Sequence, residues 1–241
     1  GNIYAITHDP NENRHIVKLD GGGYSVGEIT NIQGTYIRNL IDIAFDDIGN
    51  IYALTGTGDA YNSLRYVSKY SKTLETYALK STYAGTGQTN TQLYRPINLA
   101  IDSSNNIYVL DSPACYVSDY GANHICRSNV FSNIIHKFNS NGSFLTKWGG
   151  TGSDNGYFDD PNDLAKDSSG NIYVVEYSAN RVQKFSSTGQ FLLKFGSKGS
   201  GNGQFIYPHS IAVDNSGNIY VIDSLNYRVQ KFNSAGQFLL K

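Results

Sequence analysis

Pro208-His209-Ser210-Ile211-Ala212-Val213-Asp214-Asn215-Ser216-Gly217-Asn218-Ile219-Tyr220-Val221 is two β-rich runs around one turn, and the rest of the chain can be read outward from it. Asp-x-x-Gly-Asn places short hydrogen-bonding side chains and a glycine able to take positive φ between two apolar strands, which is hairpin chemistry. A third strand follows at Arg228-Val229-Gln230-Lys231-Phe232, then a glycine-containing turn and a fourth strand from Gln237 to Lys241. The unit is a four-stranded antiparallel meander.

The unit recurs, and recurrence outranks any local signal when a fold is inferred. Gly-Asn-Ile-Tyr starts at Gly1, Gly49, Gly170 and Gly217, with Asn105-Asn106-Ile107-Tyr108 between them, at steps of 48, 56, 65 and 47 residues. The last four copies follow an apolar run ending in Asp46, Asp102, Asp167 or Asp214. Glycine-rich linkers, Gly149 to Phe158 and Gly196 to Phe205, lead to Pro161 and Pro208 at the next first strand. Four strands per repeat of this length, with few helix signals, predict an all-β protein, a β-propeller with blades at about 1–30, 40–80, 96–148, 161–195 and 208–241. Pro-x-x-Ile-Ala-Val-Asp, Gly-Asn-Ile-Tyr-Val, Arg-Val-Gln-Lys-Phe and Gly-Gln-Phe-Leu resemble the NHL repeat, most fully over Pro208 to Lys241. That resemblance implies a ring that usually closes with six blades. Five blades are visible, the first entering at its second strand, so one domain over 1–241 is expected to be an arc of a longer polypeptide; a five-bladed ring is the alternative.

Composition narrows the function classes. The 241 residues carry 16% charged side chains and a formal net charge of −1, without the strong positive field of a general nucleic-acid binder. Single-stranded RNA, which the resemblance allows because some NHL domains bind it on a basic face, is therefore the third reading. No stretch approaches the about 18–20 consecutive apolar residues of a membrane span.

Propellers bind ligands at the ends of the central channel and on protruding loops. Asp42, Asn98, Asp163 and Ser210 occupy equivalent positions before the apolar run of the first strand, and an oxygen-rich set of this kind suits Ca²⁺, as in propeller enzymes similar to paraoxonases and gluconolactonases. Asp111, Glu176 and Asp223 end second strands; Glu176 and Asp223 each stand five residues before an arginine, a spacing that predicts structural ion pairs. His209 breaks the repeat, standing where other blades have Ile41, Ile97 and Asn162, and is a candidate ligand-binding residue at the channel mouth. The remaining histidines lack zinc spacing, so the channel-zinc chemistry of peptidylglycine amidating lyases finds no match. Gly199-Ser200-Gly201-Asn202-Gly203 recurs as a linker without a following helix and is no phosphate loop.

The largest departure from the repeat is an insertion from Ser112 to Asn133. Cys115 and Cys126, eleven residues apart, can staple it, a closure contributing roughly 2–3 kcal/mol in the loop-entropy model. Tyr116, Tyr120, His124 and Arg127 give the loop aromatic and polar anchors for a partner. Asn141-Gly142-Ser143 is an N-glycosylation acceptor at a turn. The expectation is a non-catalytic extracellular or cell-surface module that binds a protein or glycan, or self-assembles, with no cofactor unless Ca²⁺ enters the channel; the alternative is a propeller lyase or hydrolase.

Overall fold

A computed structural model describes residues 3–8, 14–19, 25–29, 40–57, 64–72, 77–83, 93, 95–112, 116–117, 124–125 and 133–241. The chain forms two compact units, 1–93 and 94–241. In the first, β1 (Ile3–His8), β2 (Arg14–Leu19) and β3 (Ser25–Ile29) make a three-stranded antiparallel sheet; β4 (Leu40–Phe45), β5 (Ile51–Thr57), β6 (Leu64–Lys72) and β7 (Tyr77–Tyr83) make a four-stranded one. Ile16, Leu40, Ile51, Ala53 and Tyr70 form their shared core. The first repeat thus shows three strands and the second four, as the hairpin pattern predicts.

The second unit holds three further meanders. The first comprises β8 (Pro96–Ile101), β9 (Ile107–Asp111), β12 (Ile134–Phe138) and β13 (Phe144–Gly149), with β10 (Tyr116–Val117) and β11 (His124–Ile125) pairing as a separate hairpin inside the insertion. The next is β14 (Pro161–Lys166), β15 (Ile172–Glu176), β16 (Arg181–Phe185) and β17 (Phe191–Phe195). The last is β18 (Pro208–Val213), β19 (Ile219–Asp223), β20 (Arg228–Phe232) and β21 (Phe238–Leu240). These sheets pack face to face through two apolar layers. Tyr108, Leu110 and Ile135 meet Phe158, Leu164, Ile172, Val174 and Phe185, and Tyr173, Val175 and Val182 meet Phe205, Ile211, Ile219, Val221 and Phe232. No helix among the described residues is long and apolar enough to cross a membrane.

The turn aspartate sets each hairpin. Asp167 Oδ1 accepts from the Ser169 and Asn171 amides at 3.0 and 2.9 Å, while Oδ2 accepts from Asn171 Nδ2 at 2.8 Å and the Tyr173 hydroxyl at 3.2 Å. Asp102 and Asp214 repeat this set with their own asparagine and tyrosine. The tyrosine ring is thereby held where a third-strand lysine stacks on it: Lys137 on Tyr108, Lys184 on Tyr173 and Lys231 on Tyr220, at 4.9, 4.9 and 5.2 Å from the centroids. Burial raises the Asp167 carboxyl, but the Asn171 hydrogen bonds, Lys184 and Tyr173 outweigh it and hold it below its ordinary value.

Glycines close the linkers. Gly196 has φ +95°, and a Cβ there would stand 2.5 Å from the ring of buried Phe205. Gly156 has φ +89° but open space around it.

Two outcomes follow. Gly156→Ala is expected to cost about 1–2 kcal/mol for its backbone alone, whereas Gly196→Ala adds about 1–3 kcal/mol of overpacking, both read by denaturant unfolding. A carboxyl held low in the native state contributes stability above its unfolded value of about 3.8 and loses it as pH falls below that. Asp167→Asn is therefore expected to cost about 1–2 kcal/mol at neutral pH and to flatten the fall in Tm between pH 4 and pH 2.

Candidate functional site

In the second unit each first strand opens with proline, which needs no ladder partner for its missing N–H, and then slips register by one residue. The slips fall between Pro96 and Asn98, Pro161 and Asp163, and Pro208 and Ser210. Each bulge leaves one residue out of the pairing, and those residues are Ile97, Asn162 and His209. Bulges re-aim side chains, and here all three line one cleft of about 310 Å³ with Arg95, Ser112, Asp160 and Pro161. Asn162 Nδ2 donates to the His209 carbonyl at 2.7 Å, fixing the amide against the neighbouring strand. Asp160 Oδ2 accepts from the Ser178 hydroxyl at 3.0 Å. The Arg95 amide donates to Asp111 Oδ1 at 2.5 Å, which anchors the backbone at the edge of the cleft. Ser112 Oγ donates to Asn133 Oδ1 at 2.9 Å, tying together the two ends of the insertion beside the cleft.

The carboxylates at the second-strand ends are scaffold. Glu176 is fully buried and receives Arg181 Nε at 2.8 Å, Arg181 Nη2 at 3.0 Å, Gln183 Nε2 at 2.7 Å and the Asp159 amide at 2.9 Å. Asp223 repeats the arrangement with Arg228, Gln230 and the Ile206 amide. The ion pairs expected from the five-residue spacing are present, and their oxygens are occupied by these donors. In the preceding sheet the pattern changes, with Ile134 at the arginine position and His136 at the glutamine position. His136 Nε2 lies 3.7 Å from Asp111 Oδ2, and both side chains are buried. Burial first, and then the charge of Lys147, push the imidazole down to about 4, so it is neutral at physiological pH. Sequence reading passed over His136 because it was sought by metal spacing; aligning third strands against Gln183 and Gln230 exposes it.

The proposed cation ligands stitch neighbouring strands. Asn98 Oδ1 accepts from the Leu164 amide at 3.3 Å. Asp163 Oδ2 accepts from the Ser210 hydroxyl at 2.6 Å and the Ile211 amide at 2.9 Å, and Oδ1 from the Leu164 amide at 2.8 Å. Burial raises the Asp163 carboxyl above its ordinary value against the pull of these donors. Asn98 and Asp163 thus occupy equivalent places on neighbouring strands with donors around them, and Asp42 stands on β4 of the other unit. Among the described residues no three His, Cys, Asp or Glu side chains converge as a metal-binding group.

Of the insertion residues, Tyr116 and His124 fall on β10 and β11, where Tyr116 pairs with Ile125 and Val117 with His124. Cys115, Tyr120, Cys126 and Arg127 lie outside the described residues, and the disulfide expectation with them. Asn141 is exposed at the turn between β12 and β13, its amide bonded to Asn139 Oδ1 at 3.0 Å.

A family model described as a 6-bladed beta-propeller matches residues 158–240. No curated protein matches the sequence. Among solved structures the chain is similar to a streptogramin B lyase, at 14% identity and TM-score 0.58 over 100% of this chain and 68% of that one. It is also similar to virginiamycin B lyase from Staphylococcus aureus, at 12% identity and TM-score 0.57 over 99% and 69% of the two chains. A gluconolactonase from Xanthomonas campestris matches at 18% identity and TM-score 0.57, over 94% and 68%. These likenesses show the fold, a β-propeller, which is coarser than the NHL resemblance.

Scaffold and cleft should separate under substitution. Glu176→Ala strands a buried arginine and is expected to cost about 3–5 kcal/mol, while Asn162→Ala stays within about 0.5 kcal/mol, both measured by urea unfolding.

Proposed function

We propose that the protein is a non-catalytic binding module that takes a polar group of a protein or glycan into the cleft lined by Arg95, Asn162 and His209. One observation carries this reading: equivalent positions are alike at the hairpin turns and unlike where they line the cleft. Turn aspartates, asparagines, tyrosines and lysines repeat sheet after sheet, but the cleft is lined before the prolines by Arg95 and Asp160, and after them by Ile97, Asn162 and His209. Repeated residues serve architecture in a repeat protein, so an asymmetric set at symmetric positions is where selectivity resides. The cleft is at the lower end of ligand-pocket sizes, enough for one sugar ring or one peptide side chain. Its arginine, asparagine and histidine suit a ligand carrying oxygen acceptors, and the Asp160 carboxylate suits one that also carries a hydroxyl or amine donor. The insertion rooted at Ser112 brings Tyr116, Tyr120, His124 and Arg127 into the same chain segment as a second contact region. The exposed Asn141 acceptor and the Cys115/Cys126 pair support an extracellular or cell-surface setting.

Likeness to a lyase and a gluconolactonase favours a second reading, in which His209 moves a proton on a ligand polarised by Arg95. A calcium ion at Asp163 would have to displace the Ser210 and Ile211 donors.

The test is a thermal-shift screen of monosaccharides, oligosaccharides and short peptides against the chain and its Asn162→Ala and His209→Ala variants. A binding module shows a saturable shift with at least one class, weakened about tenfold or more by either substitution, and leaves the ligand chemically unchanged by mass spectrometry. A ligand whose shift survives both substitutions contradicts the cleft assignment. Turnover lost in His209→Ala establishes the enzyme reading instead.

A further inference from the structure

The cleft is lined at positions that recur one sheet on. Ser112 follows the second strand β9, and its amide donates to the Arg95 carbonyl at 3.2 Å; Tyr177 follows the second strand β15, and its amide donates to the Asp160 carbonyl at 2.9 Å. Asp160 and Tyr207 in turn stand before Pro161 and Pro208. The Ser112/Asp160 pair that lines the cleft therefore corresponds to Tyr177/Tyr207 at the next junction between sheets. At the first junction the pair is small and polar, and a cavity is open. At the second the two rings stack, with centroids 4.6 Å apart and planes 18° from parallel.

The tyrosine pair borders the cleft. Tyr177 is bonded through its amide to Asp160, and Tyr207 stands two residues before His209; Asp160 and His209 both line the cavity. The Tyr207 amide is fixed by Asn180 Oδ1 at 2.9 Å. Both tyrosines are half-buried, and neither is a member of the two apolar layers described above. Tyr207 has φ +52°, where Asp160 has +56°. Left-handed backbone tolerates Asp and Asn and disfavours bulky side chains, so the backbone alone favours a residue like Asp160 here. Strained residues of this kind gather at ligand sites.

Flat aromatic faces beside hydrogen-bonding side chains match one ligand chemistry. A sugar ring carries hydroxyls around its rim and C–H bonds on its faces; those C–H bonds lie well against the negative face of an aromatic ring, while the hydroxyls meet polar groups. Tyrosine offers such a face at low entropic cost, because its side chain has few rotatable angles. The cleft holds one cation and one carboxylate, Arg95 and Asp160, a balance that suits a neutral ligand. Its volume takes one ring, and the tyrosines give a place to the next.

We propose that Tyr177 and Tyr207 form a stacking subsite continuous with the cleft, and that the ligand is a neutral oligosaccharide with one ring in the cleft and the adjoining ring on the tyrosine pair. This rests on the cleft reading above and narrows its ligand to a glycan.

The probes are the methyl glycosides of glucose, mannose and galactose, with cellotetraose, mannotetraose and galactotetraose, each titrated calorimetrically into the chain. At least one tetrasaccharide is expected to bind about tenfold or more tighter than its methyl glycoside. Tyr207→Asp, which installs the residue of the preceding sheet, is expected to bring that tetrasaccharide down to the affinity of its methyl glycoside, whereas Tyr207→Phe keeps the ring and the gain. Circular dichroism reports the folding of each variant, and Tyr177→Leu, which removes the other ring but keeps apolar bulk, is expected to lose the gain as well. Failure of every saccharide to bind, or a gain that survives both Tyr207→Asp and Tyr177→Leu, overturns the subsite. A methyl glycoside whose binding needs Asn162 and His209, with no gain on lengthening, keeps the cleft and also overturns the subsite. A gain that needs the tyrosines but neither Asn162 nor His209 keeps the stacking subsite and overturns the cleft reading.

Discussion

The carboxylate at the hairpin turn is the interaction on which the rest of the second unit depends. One aspartate receives two backbone amides, an asparagine side chain and a tyrosine hydroxyl, at Asp102, Asp167 and Asp214 alike. Charge-assisted bonds of this kind exceed neutral ones in strength, so the turn fixes the register of first and second strands before any packing is considered. Register decides which side chains face which neighbour, because a slip of one residue inverts a strand. From the turn, the tyrosine reaches into the layer between sheets, the lysine stacks on it, and the lysine's ammonium finds a carbonyl of the following sheet. A local turn is thereby coupled to sheet stacking.

The opposite end of the first strand is built differently. There the strand enters on a proline and bulges, and the side chain of the residue after the bulge bonds the next strand, as Asp163 does with the Ile211 amide. The bulged residue itself takes no part in the ladder, and Asn162 and His209 stay out of the apolar layers, although Ile97 packs against one. Outside the ladder, this position carries Ile97, Asn162 or His209 while the preceding residue is proline in all three sheets. The proposed binding function would place selectivity at positions outside the strand ladder.

Much of this was legible in the sequence, because the repeat carries its own internal alignment. Asp-x-x-Gly-Asn-Ile-Tyr located the hairpins, and Arg181 and Arg228 announced their carboxylate partners by spacing. His209 stood out as a break in the pattern, and the structure places it in a cleft. Other features needed three dimensions. Asp163 and Asn98 were legible as oxygen donors, but the amides they accept from are not visible in sequence. Arg95 was not singled out, since its position before proline differs in every repeat and only the bulge geometry brings it beside Asn162. His136 lay hidden because its significance is a substitution within a buried network, visible only when Gln183 and Gln230 are seen to hold carboxylates.

The central claim is that the hairpin turns are uniform and that recognition, as proposed, is confined to the bulged ends of the first strands. Chemical-shift mapping of the isotope-labelled chain during titration with a binding sugar or peptide tests it most directly. The account predicts shifts concentrated at Arg95, Ser112, Asn162 and His209, with the amides of Asn106, Asn171 and Asn218 at the turns unmoved. Shifts clustered at those turns, with the cleft residues silent, would contradict it.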